Sequence, residues 1–201
     1  MIGIIDYGLG NVTAFIDRYK QLKIPCQRVR NSMELKNCKK LILPGVGHFD
    51  YAINKLNSSG LRNALDECVL EKKIPILGVC VGMQMMAYKS DEGKLCGLGY
   101  LPGVVKLLES DTENPIPIPH MGWNTLHLEN PIQQEFPFAN SFAEFYFLHS
   151  YFFESMGGTK ALGFTKYGKD FVALAAYKNV IGMQCHPEKS HDCGLWFLKH
   201  F

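Results

Sequence analysis

Cys80 stands in the pentapeptide Gly78-Val79-Cys80-Val81-Gly82, after an apolar run and before a Met-rich segment of helical character. A sharp strand-to-helix turn forces its central residue into a strained backbone geometry, which small neighbours such as Gly78 and Gly82 permit. The side chain of Cys80 is therefore expected to project clear of a sheet as a nucleophile. A free thiol ionises near ~8.5, so at neutral pH a helix N-terminus or a nearby imidazole is needed to favour the thiolate. About a hundred residues on, Gln184-Cys185-His186-Pro187-Glu188-Lys189-Ser190 offers that imidazole. Proline disfavours the α region for the residue before it, so His186 should be extended, and residues two apart in an extended chain point the same way. His186 and Glu188 then share a face, where the carboxylate fixes the ring's tautomer and stabilises its charged form. Either motif alone is also what a buried cysteine between glycines, or a loop with a solvated acid, produces. Together they make a set of nucleophile, base and orienter.

The elements that must hold these residues follow from apolar periodicity. Residues 2–6 read as a buried strand, 12–22 as a helix, 26–30 and 41–43 as further strands, 61–71 as a helix, and 76–79 as the strand feeding the elbow. This alternation predicts a parallel, doubly wound sheet. After Pro115, Pro117 and Pro119, strand-like runs at 142–153, 161–167, 171–177 and 180–185 follow one another with Gly or Asn between them, which predicts antiparallel hairpins. Residues 195–201 read as a closing helix with Trp196 and Phe197 in the core. The expected fold class is α/β: an open, mostly parallel, doubly wound sheet flanked by helices, with an antiparallel extension in the second half.

Bulk properties narrow the classes. A chain of 201 residues with 47% hydrophobic composition can bury roughly 70% of its unfolded surface as one domain, 1–201. Its seven cysteines are odd in number and lack paired CxxC spacing, and no charged segment followed by an apolar one opens the chain. Free thiols in a reducing cytoplasm are expected. No apolar run approaches the ~18 residues of a membrane span, and a net charge of +2 without a basic cluster gives no reason to propose nucleic acid. Gly8-Leu9-Gly10-Asn11-Val12-Thr13 misses the third glycine of the dinucleotide pattern, and Arg28 and Arg30 stand where that pattern wants an acid. No cofactor is expected. Cys185, His186, His191 and Cys193 are four soft ligands close in sequence, so a catalytically silent subunit with a structural zinc site is the alternative of another class.

Further motifs run the length of the chain: Ile4-Ile5-Asp6-Tyr7-Gly8-Leu9-Gly10-Asn11, Leu43-Pro44-Gly45-Val46-Gly47, Pro119-His120-Met121-Gly122-Trp123-Asn124 and Phe145-Tyr146-Phe147-Leu148-His149-Ser150-Tyr151. With the Cys80 and His186 motifs, they make the chain resemble class I glutamine amidotransferases, and within them the glutaminase subunits of imidazole glycerol phosphate synthase. The resemblance implies hydrolysis of the side-chain amide of L-glutamine, with Cys80 attacking the amide carbon, His186 carrying the proton to ammonia and Glu188 orienting the ring. Oxyanion donors are expected from the N–H of Val81, at a helix start, and from Val46 and Gly47, where glycines let the backbone approach closely. Gln84 lies one helical turn beyond Cys80, so its amide is expected beside the substrate. In the family, the loop matching His149-Ser150-Tyr151 holds the α-amino and α-carboxylate groups of glutamine, largely through backbone; His149 itself can be structural.

A chain of this length leaves no room for an acceptor-binding domain, so ammonia must be used elsewhere. The resemblance implies a heterodimer with a (β/α)₈ cyclase that makes imidazole glycerol phosphate in histidine biosynthesis. Asn11, Met121, Trp123, Asn124 and Lys189 are the candidates for the docking face. Gly47-His48-Phe49-Asp50-Tyr51, Val81 and Met83-Gln84-Met85-Met86-Ala87 depart from the histidine-pathway pattern, which more often has Ala-Phe-Gly, Leu and Met-Gln-Leu-Leu-Phe. These variants resemble a paralogous group that supplies ammonia for amidation of bacterial surface sugars, the alternative acceptor.

Overall fold

A computed structural model describes residues 1–110, 115–129 and 143–201. Strands β1 (Ile2–Ile5), β3 (Lys40–Gly45) and β4 (Ile76–Cys80) are buried almost throughout, the continuous apolar pattern of parallel strands covered on both faces. With β2 (Cys26–Val29) and the late strand β12 (Val180–Met183) they form the parallel half of a ten-stranded sheet, in the order β2-β1-β3-β4-β12. Helix α1 (Val12–Gln21) starts on Asn11, whose side chain accepts from the Ala14 N–H, and turns Val12, Phe15 and Tyr19 inward. Two helices that apolar pattern alone did not single out, α2 (Ser32–Lys36) and α3 (Phe49–Ser58), join it; α3 buries Phe49, Ala52, Ile53 and Leu56 at helical spacing. The helix expected over 61–71 is an α-helical turn, α4 (Arg62–Asp66), continued by a π-helical turn over Glu67–Glu71.

Beyond β12 the sheet turns antiparallel. Strands β10 (Lys160–Tyr167) and β11 (Lys169–Tyr177) form a hairpin, β11 pairs with β12, and a short β7 (His127–Leu128) closes the edge. The run expected as one strand over 142–153 begins at Phe142, outside the described residues, and is otherwise two strands broken at Ser150. β8 (Glu144–His149) pairs with β6 (His120–Thr125) in a separate two-stranded sheet, whereas β9 (Tyr151–Ser155) pairs with β5 (Gly103–Leu107) and touches β11. The break is invisible as apolar pattern because Phe145 and Phe147 on β8 and Phe152 and Phe153 on β9 are all buried. β12 ends at Met183 rather than Cys185, and the closing helix α6 (His191–His200) starts earlier than expected, with Trp196 and Phe197 packed partly buried against the core.

The functional geometry follows from the parallel half. β4 is flanked by β3 and β12, all three ending at one edge: Gly45 lies beside Cys80, and Met183 beside Val79. Residues far apart in sequence thus meet beyond the carboxyl ends of adjacent strands, where open α/β sheets place their sites.

Candidate active site

Cys80 is the junction between β4 and the short helix α5 (Val81–Met85), and its backbone sits at φ 55, ψ −116. For a non-glycine residue that conformation costs about 1–3 kcal/mol and persists only where the surroundings enforce it. The enforcement is close packing of backbone on backbone. A Cβ at Gly82 would lie 1.9 Å from the Leu43 carbonyl oxygen, and one at Gly45 would lie 2.3 Å from the Gly82 nitrogen. The strain sits on the central residue, Cys80, as the pentapeptide suggests, and the small neighbours permit it: Gly82 lets the turn press against β3. Beneath the following loop, Tyr7 donates its hydroxyl to the Pro44 carbonyl at 2.9 Å.

His186 emerges just past β12. Its Nδ1 lies 2.8 Å from Glu188 Oε1, and both side chains are buried. Glu188 reaches the ring from a 3₁₀ turn over Pro187–Lys189, not from the extended chain that residue spacing suggests, so the pairing holds for a different local reason. The turn is fastened on three sides. The His186 N–H donates to the Tyr146 carbonyl at 2.9 Å, the Ser190 hydroxyl donates to the His186 carbonyl, and Arg18 Nε donates to the Glu188 carbonyl at 3.0 Å. Burial works against a charged ring, but contact with the Cys80 sulfur and the Glu188 carboxylate outweighs it, and the His186 pKa is pushed up to about 10. With Nδ1 committed to Glu188, Nε2 is the nitrogen left for the sulfur. The sulfur also lies 3.8 Å from Gln184 Nε2 and 3.7 Å from the Leu148 carbonyl oxygen. Cys185 is fully buried, and burial pushes its thiol well up; among the described residues no group of three or more His, Cys, Asp or Glu side chains is placed to hold a metal.

These groups face a cavity of about 250 Å³. Val46, Gly47, Val81, Gln84, His149, Ser150 and Tyr151, all expected here from sequence, line it with Cys80 and His186, and so does Lys189, expected instead at a docking face. Gln84 is 2% exposed, and its NH₂ group is engaged already, donating to the Tyr151 carbonyl at 2.8 Å and to Gln184 Oε1 at 3.1 Å. Only its carbonyl oxygen remains for a ligand. His149 is likewise tied up. Its Nδ1 donates to the Tyr151 carbonyl at 2.9 Å, and its Nε2 accepts from His120 Nδ1 at 3.1 Å. His120 lies between the rings of Tyr167 and Phe147, at 3.9 and 4.6 Å, and accepts at Nε2 from Asn124. This chain of bonds assigns the Nδ1–H tautomer to both rings. Burial pushes His120 down to about 4; burial, aided by His120, pushes His149 down to about 3, so both rings are neutral.

The remaining lining residues include one carboxylate that no sequence motif marked, Glu92, whose Oε2 accepts from the Phe49 N–H at 2.8 Å. Its contact spans 43 positions of sequence, so no local pattern announces it. A strained cysteine, a buried histidine held by a carboxylate and a small cavity beside both can run nucleophilic acyl transfer.

The model of the glutamine amidotransferase class-I family matches residues 3–194. The chain belongs to the class I glutamine amidotransferase family. This amidotransferase is 48% identical to the imidazole glycerol phosphate synthase subunit HisH of Bdellovibrio bacteriovorus and 43% identical to that of Leptospira interrogans, in both cases over 100% of this chain and 98% of the relative. Among solved structures it superposes on a glutamine amidotransferase crystal structure with a TM-score of 0.76, at 19% identity, covering 100% of this chain and 99% of the other. That likeness speaks for the fold alone.

The residues expected at a docking face divide. Met121 is 65% exposed and Trp123 45%, the latter stacked at 4.9 Å on the ring of His191 and so not the core residue its size suggests. Asn11 is exposed but caps α1, and Lys189 is exposed with Nζ 5.3 Å from the Tyr146 ring centre. Asn124 is turned inward instead: its NH₂ group donates to His120 and to the Lys166 carbonyl, and its oxygen accepts from the Thr125 N–H.

Proposed function

We propose that this chain is a glutaminase subunit of imidazole glycerol phosphate synthase. As a single domain over residues 1–201 it would hydrolyse L-glutamine and pass ammonia to a (β/α)₈ cyclase in histidine biosynthesis. The observation that carries the reading is the Cys80 elbow facing His186, itself held at 2.8 Å by Glu188, at the wall of one cavity. The histidine-pathway acceptor is preferred to a surface sugar because both relatives named above are synthase subunits matched along their whole length.

In this mechanism the Cys80 sulfur attacks the side-chain amide carbon of glutamine, and its proton passes to His186 Nε2. The same nitrogen then protonates the departing ammonia, leaving a thioester on Cys80. Water, deprotonated by His186, hydrolyses the thioester to glutamate. The oxyanion of each tetrahedral intermediate is received by backbone N–H groups of Val81 and of Val46 or Gly47; losing one such donor costs about 10²-fold or more in rate. Glu92 supplies the negative charge for the substrate's α-ammonium group, and the backbone of 149–151 holds that same end, the α-amino and α-carboxylate groups. Met121 and Trp123, with Asn11 and Lys189, form the face that docks the cyclase. Asn124 supports that face from within. No described helix is long and apolar enough to cross a membrane, and all seven cysteines are free thiols, which is compatible with action in the cytoplasm.

The test is Cys80→Ala in the complex with the cyclase. Glutamine-dependent synthesis is expected to vanish while synthesis from free ammonium salts persists, because only the source of ammonia is removed. Loss of both in an assembled complex would overturn this division of labour.

A further inference from the structure

The start of α3 and the 92–95 segment are clasped by two acids that each reach into the other's backbone. Asp50, in the first turn of α3, accepts at Oδ2 from the Lys94 N–H at 2.9 Å and at Oδ1 from the Leu95 N–H at 3.0 Å. In return, Glu92 accepts at Oε2 from the Phe49 N–H, one of the donors that the helix start leaves unpaired. Between them the chain passes so close that a Cβ on Gly93 would lie 1.9 Å from Asp50 Oδ1. The segment is anchored on its other side too, where the Glu92 N–H donates to Ser90 Oγ at 3.1 Å. The Asp50 carboxyl is held below the usual carboxylate range by the Lys94 N–H, then by that of Leu95, with the nearby Lys94 ammonium assisting against partial burial. With Oε2 of Glu92 committed to Phe49, Oε1 is the atom it can present to a ligand in the cavity.

We propose that Asp50 is a positioning residue for substrate binding: by clamping the backbone of 93–95 it holds the Glu92 carboxylate where the α-ammonium of glutamine must sit. The inference rests on the glutaminase reading above. Asp50 touches neither the substrate nor the reacting atoms, so its effect falls on recognition of the ammonium group and leaves the chemistry at Cys80 in place. Without the clamp, the N–H groups of Lys94 and Leu95 turn to water and Glu92 loses its fixed approach.

The experiment uses the assembled complex and two ligands, glutamine and 5-amino-5-oxopentanoate, which is glutamine without its α-amino group and serves as a competitive inhibitor. Asp50→Ala is expected to raise KM for glutamine about tenfold with kcat changed less than about twofold, and to leave the inhibition constant of the analogue within about twofold. Asp50→Asn, which keeps one acceptor oxygen, should fall between, and Gly93→Ala, which pushes the carboxylate away by its methyl group, should repeat the Asp50→Ala pattern from the other side. Equal weakening of both ligands would mean general loosening of the pocket and would overturn the proposal, as would no change in either. Absence of glutamine turnover in the unaltered complex would defeat the glutaminase reading itself, and this inference with it.

Discussion

On one side of the cavity the elbow at Cys80 is set by backbone pressed on backbone; on the other, the wall built from β6, β8 and the 149–151 turn is set by side-chain hydrogen bonds. Gly82 and Gly45 approach their neighbours so closely that neither has room for a methyl group. Across the cavity, His120, His149 and Asn124 each have ring or amide atoms bonded to a partner, and the wall keeps its form because buried polar groups left unpaired are costly. The difference predicts opposite sensitivities: the elbow is sensitive to added volume, the wall to lost polarity.

The largest effect is expected at the elbow. Gly82→Ala must part α5 from β3, costing about 1–3 kcal/mol of stability and displacing Cys80 and the Val81 N–H by enough to lower glutamine turnover about 10²-fold. Denaturant unfolding and glutamate release measure the two losses; a fully stable, active variant would refute the account of the elbow. On the wall, His149→Phe keeps a flat ring but strands the His120 Nδ1–H, with an expected cost of about 1–3 kcal/mol. The same substitution has a pH signature. His149, folded at about 3 against about 6.5 when free, contributes stability that is whole above pH 6.5 and lost as the pH falls toward 3. His186, pushed up to about 10, acts oppositely, its contribution whole below pH 6.5 and lost as the pH rises toward 10. Between pH 6.5 and 5, above the range in which most carboxylates protonate, unfolding free energy should therefore fall with pH, and less steeply in His149→Phe by up to about 1.4 kcal/mol per unit. Equal slopes would show that burial of His149 does not set this dependence.

The smallest effect on the chain itself is expected at Trp123, on the outer surface of the wall. Trp123→Ala should change the stability of the isolated chain by no more than about 0.5 kcal/mol, since the ring is half-exposed, yet weaken cyclase binding about tenfold or more. Unfolding curves and titration with the cyclase separate the two. A large loss of stability would extend the wall's dependence on side chains to its outer surface.

Much of this was legible in residue order. The buried runs at β1, β3 and β4 are apolar enough to announce themselves, and the two glycines around Cys80 mark a tight turn whatever reason they serve there. Contacts across sequence were not legible. Glu92 and Asp50 look like solvated acids because their partners lie more than forty positions away, and His120 meets His149 only because the β6–β8 register sets them opposite each other. Asn124 reads as an exposed polar residue for the same reason; only the fold turns its amide inward.

Residue order by itself determined the nucleophile, since strand, strained junction and helix are local and Cys80 alone among seven cysteines stands at such a junction. It also marked His186, with Glu188 as its orienter, as the candidate base among seven histidines, but not that this ring reaches the sulfur. The tertiary structure decided it: β12 crosses back to lie parallel to β4, with Met183 beside Val79, so the residues leaving β12 arrive at Cys80. Hydrogen-bonded register between strands a hundred positions apart is a property of the assembled sheet, and it brought His186 to the sulfur.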